Sequence, residues 1–158
     1  MPKQYYNVKG YQSQRSIGYL LRRAGKLMTG QIESLFVKED VSFVQWVIMM
    51  NLRDGLRMTA AELSQHLCHD SGALTRVIDQ MEERGLIARK RSTEDRRVVA
   101  LALTAAGRRV TEAFLPRVVK LYNGLLTDFT EKETDVLIDL LTRLTAKLVL
   151  PPAQLVGG

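Results

Sequence analysis

The chain has 158 residues, the length of one ordinary domain and enough for a hydrophobic core. Its composition of 46% apolar and 25% charged residues excludes a mostly disordered chain. The formal net charge of +6 favours a polyanionic partner such as nucleic acid, although charge alone does not establish one.

The cysteine content and the amino-terminal segment indicate the compartment. Cys68 is the single cysteine, which excludes an intrachain disulfide, and the first ten residues lack the apolar core of a signal peptide. No apolar run of the sequence approaches the roughly 20 residues of a membrane-spanning helix. We therefore expect a cytoplasmic protein that crosses no membrane.

Two helices are predicted in the first third of the chain. Apolar residues recur with a helical period from residue 16 to about residue 37, which predicts a long first helix. The apolar run 43–52 crowds more than one helical face, so this second helix should be largely buried. Asp40 or Ser42 can cap it, and the Asp-Gly pair at 54–55 ends it.

Two short helices are predicted next, separated by a tight turn. Thr59 and Glu62 have the spacing of a capping box, which marks the start of the third helix. Asp70 or Ser71 can cap the fourth helix, and Gly85 occupies its C′ position. The inward-facing residues of this fourth helix are predicted to be Leu74, Ile78 and Met81.

A β-hairpin with a charged tip is predicted after the fourth helix. Residues 86–92 and 98–104 are rich in aliphatic and β-branched side chains, and the polar stretch 93–97 separates them. Helical spacing returns beyond Thr104, and Pro116 should kink or divide this fifth helix. The last helix, from about residue 131 to 150, carries an apolar stripe of Val136, Leu137, Leu140, Leu141, Leu144 and Leu148.

The order helix, tight turn, helix and hairpin is that of a winged helix-turn-helix, whose second helix enters the major groove of DNA. Arg76 of this helix can donate two hydrogen bonds to O6 and N7 of guanine. The outer-face residues that can reach DNA are Ser71, Gly72, Ala73, Thr75, Arg76 and Gln80. The hairpin supplies further cations at Arg89, Lys90, Arg91, Arg96 and Arg97.

The stretch from Ser71 to Gly107 resembles the recognition helix, wing and following helix of the MarR family of bacterial regulators. The family's wing Asp-x-Arg is present at residues 95–97, and its Leu-Thr-x-x-Gly is present at residues 103–107. The resemblance implies roles for three residues: Arg76 as the major-groove reader, Arg97 as the minor-groove wing residue, and Asp95 as the acidic partner of the wing arginine. Read from its residue type alone, Asp95 could equally be a turn residue.

The resemblance also implies an architecture and a function. The expected fold is mainly α with a small β-hairpin wing, in which a winged helix-turn-helix at 56–103 is flanked by dimerisation helices at 16–53 and 104–150 of a single 1–158 unit. The implied function is a transcriptional repressor that binds a palindromic operator as a homodimer and is released by a small aromatic or phenolic effector. A winged-helix protein-interaction module and a redox-responsive regulator are the alternatives.

Other chemistry receives little support from the sequence. The sequence contains no glycine-rich phosphate loop and no nucleophile motif, so no enzyme is predicted, and no cofactor is expected. The possible ligands His66, Cys68, His69 and Asp70 lack an established zinc spacing, and Cys68 is interpreted as a small buried residue. Trp46, Met49 and Met50 either line an effector cavity or are plain core, and core is the favoured interpretation.

Overall fold

The computed structural model describes residues 5–55, 58–67, 70–91 and 99–149. Its chain divides after Val118 into two compact units, and this boundary falls inside the fifth helix. The predicted fold class is confirmed, with six helices and a two-stranded antiparallel hairpin in these residues. The elements are α1 (Ile17–Glu33), α2 (Phe43–Arg53), α3 (Ala60–His66), α4 (Ser71–Glu83), β1 (Ile87–Arg91), β2 (Val99–Leu103), α5 (Ala105–Leu125) and α6 (Glu131–Leu148).

Side-chain caps set the starts of several helices. The predicted capping box is confirmed at α3, where the Glu62 N–H donates to the Thr59 hydroxyl at 3.2 Å and the Thr59 N–H donates to the Glu62 carboxylate at 2.8 Å. Ser42, rather than Asp40, caps α2 and forms a second capping box. Thr130 forms a third one at the start of α6. Because each box satisfies two backbone donors that the helix leaves unpaired, these positions fix where the helices begin.

The predicted first helix differs from the observed one at its end. α1 stops at Glu33, and a tighter 3-10 turn follows over Ser34–Phe36. The Ser34 hydroxyl donates to the carbonyl oxygen of Gln31 at 2.6 Å. Serine hydroxyls that bond a carbonyl of the preceding turn compete with regular helix geometry, which accounts for the early end.

Pro116 does not divide the fifth helix, so that alternative of the prediction is wrong. α5 continues from Ala105 to Leu125 through the proline. Phe114 and Val118 are both buried on either side of it. Burial of two such side chains contributes about 1.5–3 kcal/mol each, which offsets a cost of about 3 kcal/mol for proline inside a helix.

The core of the first unit centres on α2. Ile48 and Met49 are fully buried, and the buried Trp46 indole donates to the carbonyl oxygen of Thr111 on α5 at 3.3 Å. Trp46 and Met49 are therefore core residues, as the favoured interpretation expected, while Met50 is half-buried. α2 also packs against α4 and β2, so one buried helix supports both α4 and the hairpin.

Candidate nucleic-acid interface

The fourth helix has one buried face and one exposed face. Leu74, Ile78 and Met81 are at most 2% exposed, as the helical period predicted. α3 packs against this helix, and α2 supports it from behind. The residues predicted to reach DNA are all exposed in the structure: Ser71, Gly72, Ala73, Thr75, Arg76 and Gln80.

The start of α4 already carries a carboxylate. Asp70 is the N-cap, and its Oδ1 accepts from the N–H of Ala73 at 2.9 Å. Thr75 donates its hydroxyl to the carbonyl oxygen of Ser71 at 2.8 Å, which leaves the hydroxyl oxygen as an acceptor. A helix N-terminus attracts anions, but here the Asp70 carboxylate occupies that position. The amino-terminal end of α4 is therefore already capped by a negatively charged group.

The end of α4 fixes where the hairpin starts. Gly85 has a φ of 67°, a left-handed conformation that favours glycine. The N–H of Gly85 donates to the carbonyl of Glu82 at 2.8 Å, and the N–H of Leu86 donates to the carbonyl of Met81 at 2.9 Å. This pair of bonds is the Schellman motif, which turns the chain directly into β1.

The base of the hairpin is locked by a second set of contacts. The Thr104 hydroxyl lies 2.7 Å from the Gly85 carbonyl oxygen and 2.9 Å from that of Leu86, and it accepts from the N–H of Gly107 at 3.0 Å. The N–H of Leu101 on β2 donates to the carbonyl of Met58 at 2.9 Å. The two strands are therefore anchored to α5 and to the segment before α3.

The strand register decides which hairpin side chains face α4. Ile87 pairs with Leu103 and Arg91 pairs with Val99. Because side chains alternate along a strand, Ile87, Arg89 and Arg91 share one face of β1 and Lys90 lies on the other. The side chains of Lys90 and Arg91 are exposed, and neither forms an ion pair with another of the described residues.

Arg89 is different, because its guanidinium is held by two carboxylates of α4. Its Nη2 lies 2.6 Å from Asp79 Oδ1, and its Nη1 pairs with Glu82 Oε2. Glu82 Oε1 also accepts from the backbone N–H of Arg89 at 3.2 Å. The hydrogen bond to Asp79 raises the pKa of the Arg89 guanidinium. Burial lowers this pKa to a smaller extent, and the contact with Glu82 raises it further.

Sequence reasoning did not identify two features of this site. Asp79 and Glu82 lie three positions apart on α4, a spacing that places them on one side of the helix. These two acidic residues precede the basic hairpin strand, and from them the pairing with Arg89 could have been predicted. The contact of Gly107 with the α4–β1 turn was visible only as part of a family motif.

The predicted wing residues Asp95, Arg96 and Arg97 lie outside the described residues, as do Cys68 and His69.

Within the described residues, the structure contains neither a candidate membrane-spanning helix nor a candidate metal-binding group. In that part of the chain, no helix has the length and hydropathy needed to cross a membrane. Across residues 5–55, 58–67, 70–91 and 99–149, no three His, Cys, Asp or Glu side chains form a group that could hold a metal ion.

Sequence comparisons find regulators of transcription. The MarR family model matches residues 41–99. The organic hydroperoxide resistance transcriptional regulator of Bacillus subtilis is 36% identical over 89 residues, which cover 56% of this chain and 60% of that relative, less than two thirds of its length. The HTH-type transcriptional repressor YetL of the same organism is 26% identical over 125 residues, 78% of this chain and 75% of YetL.

Solved structures share the fold over most of this chain. Apo MarR from E. coli has a TM-score of 0.69 at 25% identity, covering 82% of this chain and 96% of its own. BpsR of Bordetella bronchiseptica, described with regulation of its DNA binding by 6-hydroxynicotinic acid, has a TM-score of 0.72 at 23% identity, covering 85% and 96%. The S. aureus MepR–DNA complex has a TM-score of 0.69 at 20% identity, covering 87% and 99%.

The last two likenesses show the fold alone, because their identities are below 25%. The relatives found by sequence are named as regulators and not as enzymes. The matched segment contains α2, α3, α4 and the paired strand β1. Residues 41–99 of this chain therefore match the MarR family model, and the fold is similar to that of MarR from E. coli over most of the chain.

Proposed function

We propose that this chain is a sequence-specific regulator of transcription that binds duplex DNA as a homodimer. The observation that carries the proposal is that α4 has a buried inner face and an exposed outer face with Arg76 on it, and that this helix packs against the basic strand β1. Such an arginine can donate two parallel hydrogen bonds to one guanine in the major groove. S. aureus MepR, a protein of similar fold, was solved in complex with DNA, which supports the proposal.

The homodimer is proposed from exposed apolar stripes on the flanking helices. On α1, Leu20 is 52% and Leu27 is 60% exposed, and on α6, Val136 is 50% and Leu140 is 51% exposed. Soluble monomers rarely keep contiguous apolar patches in water. A second copy would cover these stripes, so residues 16–53 and 104–150 are assigned to dimerisation and residues 56–103 to DNA. Two recognition helices then enter major grooves about 34 Å apart on an imperfect palindrome.

Repression and release by an effector complete the proposal. YetL is named a repressor, and DNA binding by BpsR is described as regulated by 6-hydroxynicotinic acid. We infer that this chain obstructs the polymerase at a promoter and that a small aromatic or phenolic compound releases it. Titrating the protein–duplex complex with aromatic acids and phenols tests this inference. Loss of duplex affinity is expected with at least one compound, and unchanged affinity with all of them would contradict it.

The deciding experiment selects duplexes from a random pool and compares the selected duplex with random DNA at fixed salt. Arg76→Ala should weaken the selected duplex by about 1–3 kcal/mol and leave random DNA nearly unaffected. Lys38→Ala is the matched control, because it removes the same formal charge from an exposed position between α1 and α2. Equal losses on both duplexes would contradict base reading by Arg76.

A protein-interaction module is the second candidate, and a feature of α4 favours it. Asp79, Glu82 and Glu83 place acidic groups near the carboxyl end of the recognition helix, so the surface is mixed and not uniformly basic. Salt separates the two functions, since duplex affinity that depends on phosphate contacts falls steeply with ionic strength. A duplex affinity that stays weak and insensitive to salt would favour the interaction module.

A redox-responsive regulator is the third candidate, and it rests on a relative. The B. subtilis protein with 36% identity is named for organic hydroperoxide resistance. Cys68 is the single cysteine of this chain and lies outside the described residues. If this candidate is correct, an organic hydroperoxide should abolish duplex binding by the wild type and leave Cys68→Ser unaffected.

A further inference from the structure

Arg89 joins β1 to α4 through three contacts that start from one residue. Its guanidinium pairs with Asp79 at 2.6 Å and with Glu82, and its backbone N–H donates to the second Glu82 oxygen at 3.2 Å. Glu82 therefore holds both the side chain and the backbone of the same strand residue. Because these charge-assisted bonds leave one guanidinium in two directions, they fix its orientation as well as its distance from α4.

These contacts reduce the ability of the Arg89 guanidinium to bind a DNA phosphate. Two carboxylates and one guanidinium together carry a net charge of −1, so the Arg89 cation is already compensated. A DNA phosphate would have to compete with both carboxylates for the same donors. Among the described residues, no carboxylate pairs with the exposed side chains of Lys90 and Arg91.

Because Arg89 lies partway along β1, its contacts with α4 restrict the angle between the strand and the helix. The hairpin is fixed at its base by the Leu86–Met81 hydrogen bond and by Thr104. Arg89 is two residues beyond Ile87, about 6.7 Å farther along the strand at the usual rise. A strand held at its base alone can pivot, whereas a strand held at two points along its length has a fixed angle to α4.

We infer that Arg89 is a positioning residue, which locks the wing at a fixed angle to the recognition helix and does not itself bind phosphate. The inference rests on the proposed function and sharpens it, because it removes Arg89 from the predicted DNA contacts. The Arg89–Asp79–Glu82 cluster thereby couples base reading by α4 to backbone contact by the wing. Specificity then depends on a group that touches no base.

The first test measures the salt dependence of affinity for the selected duplex. Arg89→Ala should lower affinity about three- to tenfold, the range of two exposed ion pairs, and leave the slope of log affinity against log salt unchanged. Arg91→Ala, on the same face of the same strand, is the matched control and should make the slope shallower by about 0.9. The same shallower slope for Arg89→Ala would overturn the inference.

The second test is a charge exchange that preserves the net charge. Arg89→Glu should abolish the cluster, and adding Glu82→Arg should restore most of the lost affinity, because the opposite charges again face each other. A phosphate contact would not be restored by this exchange. Failure of the double variant to recover affinity, with its fold intact by circular dichroism, counts against the positioning role.

A third measurement needs no DNA and separates the two proposals. Amide hydrogen exchange at Arg89, whose N–H donates to Glu82, should accelerate in Glu82→Ala together with its neighbours on β1. Unchanged exchange throughout β1 would overturn the lock even if duplex binding is normal. A wild type without salt-dependent duplex affinity would instead overturn the proposed function, while the exchange data still decide whether the cluster holds the wing.

Discussion

Gly107 lies against the carbonyl group of Leu86, so closely that a Cβ at residue 107 would stand 2.1 Å from the Leu86 oxygen. The same Cβ would come within 2.7 Å of a Leu103 methyl group. The first turn of α5 therefore packs directly on the turn that joins α4 to β1. This close approach gives a physical reason for the glycine in the Leu-Thr-x-x-Gly motif at residues 103–107.

We expect Gly107→Ala to destabilise the first unit by about 2 kcal/mol. Overpacking against backbone costs about 3 kcal/mol, and the helix propensity of alanine offsets about 1 kcal/mol of it. Urea unfolding followed by fluorescence of the single tryptophan, Trp46, measures the change. Gly124→Ala on the same helix is the control, because its Cβ would meet nothing within 4 Å. Equal stability of the two variants would contradict the close packing.

The capping boxes predict a pH effect on α3 and α6. Hydrogen bonds from the backbone and hydroxyl of Thr59 lower the pKa of Glu62 below its ordinary 4.5, and Thr130 acts in the same way on Glu133. A carboxylate with a lowered folded pKa stabilises the fold above its unfolded pKa. This contribution is lost as the pH falls from about 4.5 through the folded value.

Carboxyl chemical shifts recorded during an acid titration measure this effect. In Thr59→Ala, the pKa of Glu62 should return towards its ordinary value, while that of Glu133 stays lowered and serves as the internal control. The helix cap itself is worth about 1 kcal/mol. A Glu62 titration that is identical in the wild type and in Thr59→Ala would show that the box does not form in solution.

Lys90→Ala should weaken binding to every duplex alike. Lys90 is exposed on the face of β1 that points away from Arg89, and a lysine on a wing contacts phosphate as a point charge. Selected and random duplexes should lose affinity by the same factor, and the salt slope should become shallower by about 0.9. Fluorescence anisotropy at four salt concentrations provides both values. A loss confined to the selected duplex would instead make Lys90 a base reader.

Leu140→Glu should convert the proposed homodimer into a monomer. A charge placed in an apolar interface without a partner costs several kcal/mol, so the dimer dissociation constant should rise roughly a hundredfold or more. Sedimentation velocity measures the oligomeric state, and affinity for a palindromic duplex should fall with it. Thr142→Glu adds the same charge to the same helix away from the stripe and should remain dimeric. A dimer in both variants would exclude α6 from the interface.

The sequence by itself determined the order of the elements and the buried face of α4. Capping residues such as Thr59 act on N–H groups three positions away, and the helical period of Leu74, Ile78 and Met81 directly encodes which side avoids water. Both signals depend only on residues that are close in sequence, so helix starts and buried faces can be predicted without knowledge of the tertiary structure. The family motif added an expected role for Arg76 as the major-groove reader. The structure shows that Arg76 is exposed, and its contact with DNA stays a prediction.

Tertiary structure alone decided which side chains meet across elements. Arg89 looked like a further wing cation, and only the packing of β1 on α4 placed it between Asp79 and Glu82. Pro116 looked like a break, and only the burial of its neighbours showed that α5 continues. The reason is physical: sequence spacing sets local geometry, whereas the partner of a charge or the space beside a Cβ depends on residues that folding brings together from distant positions.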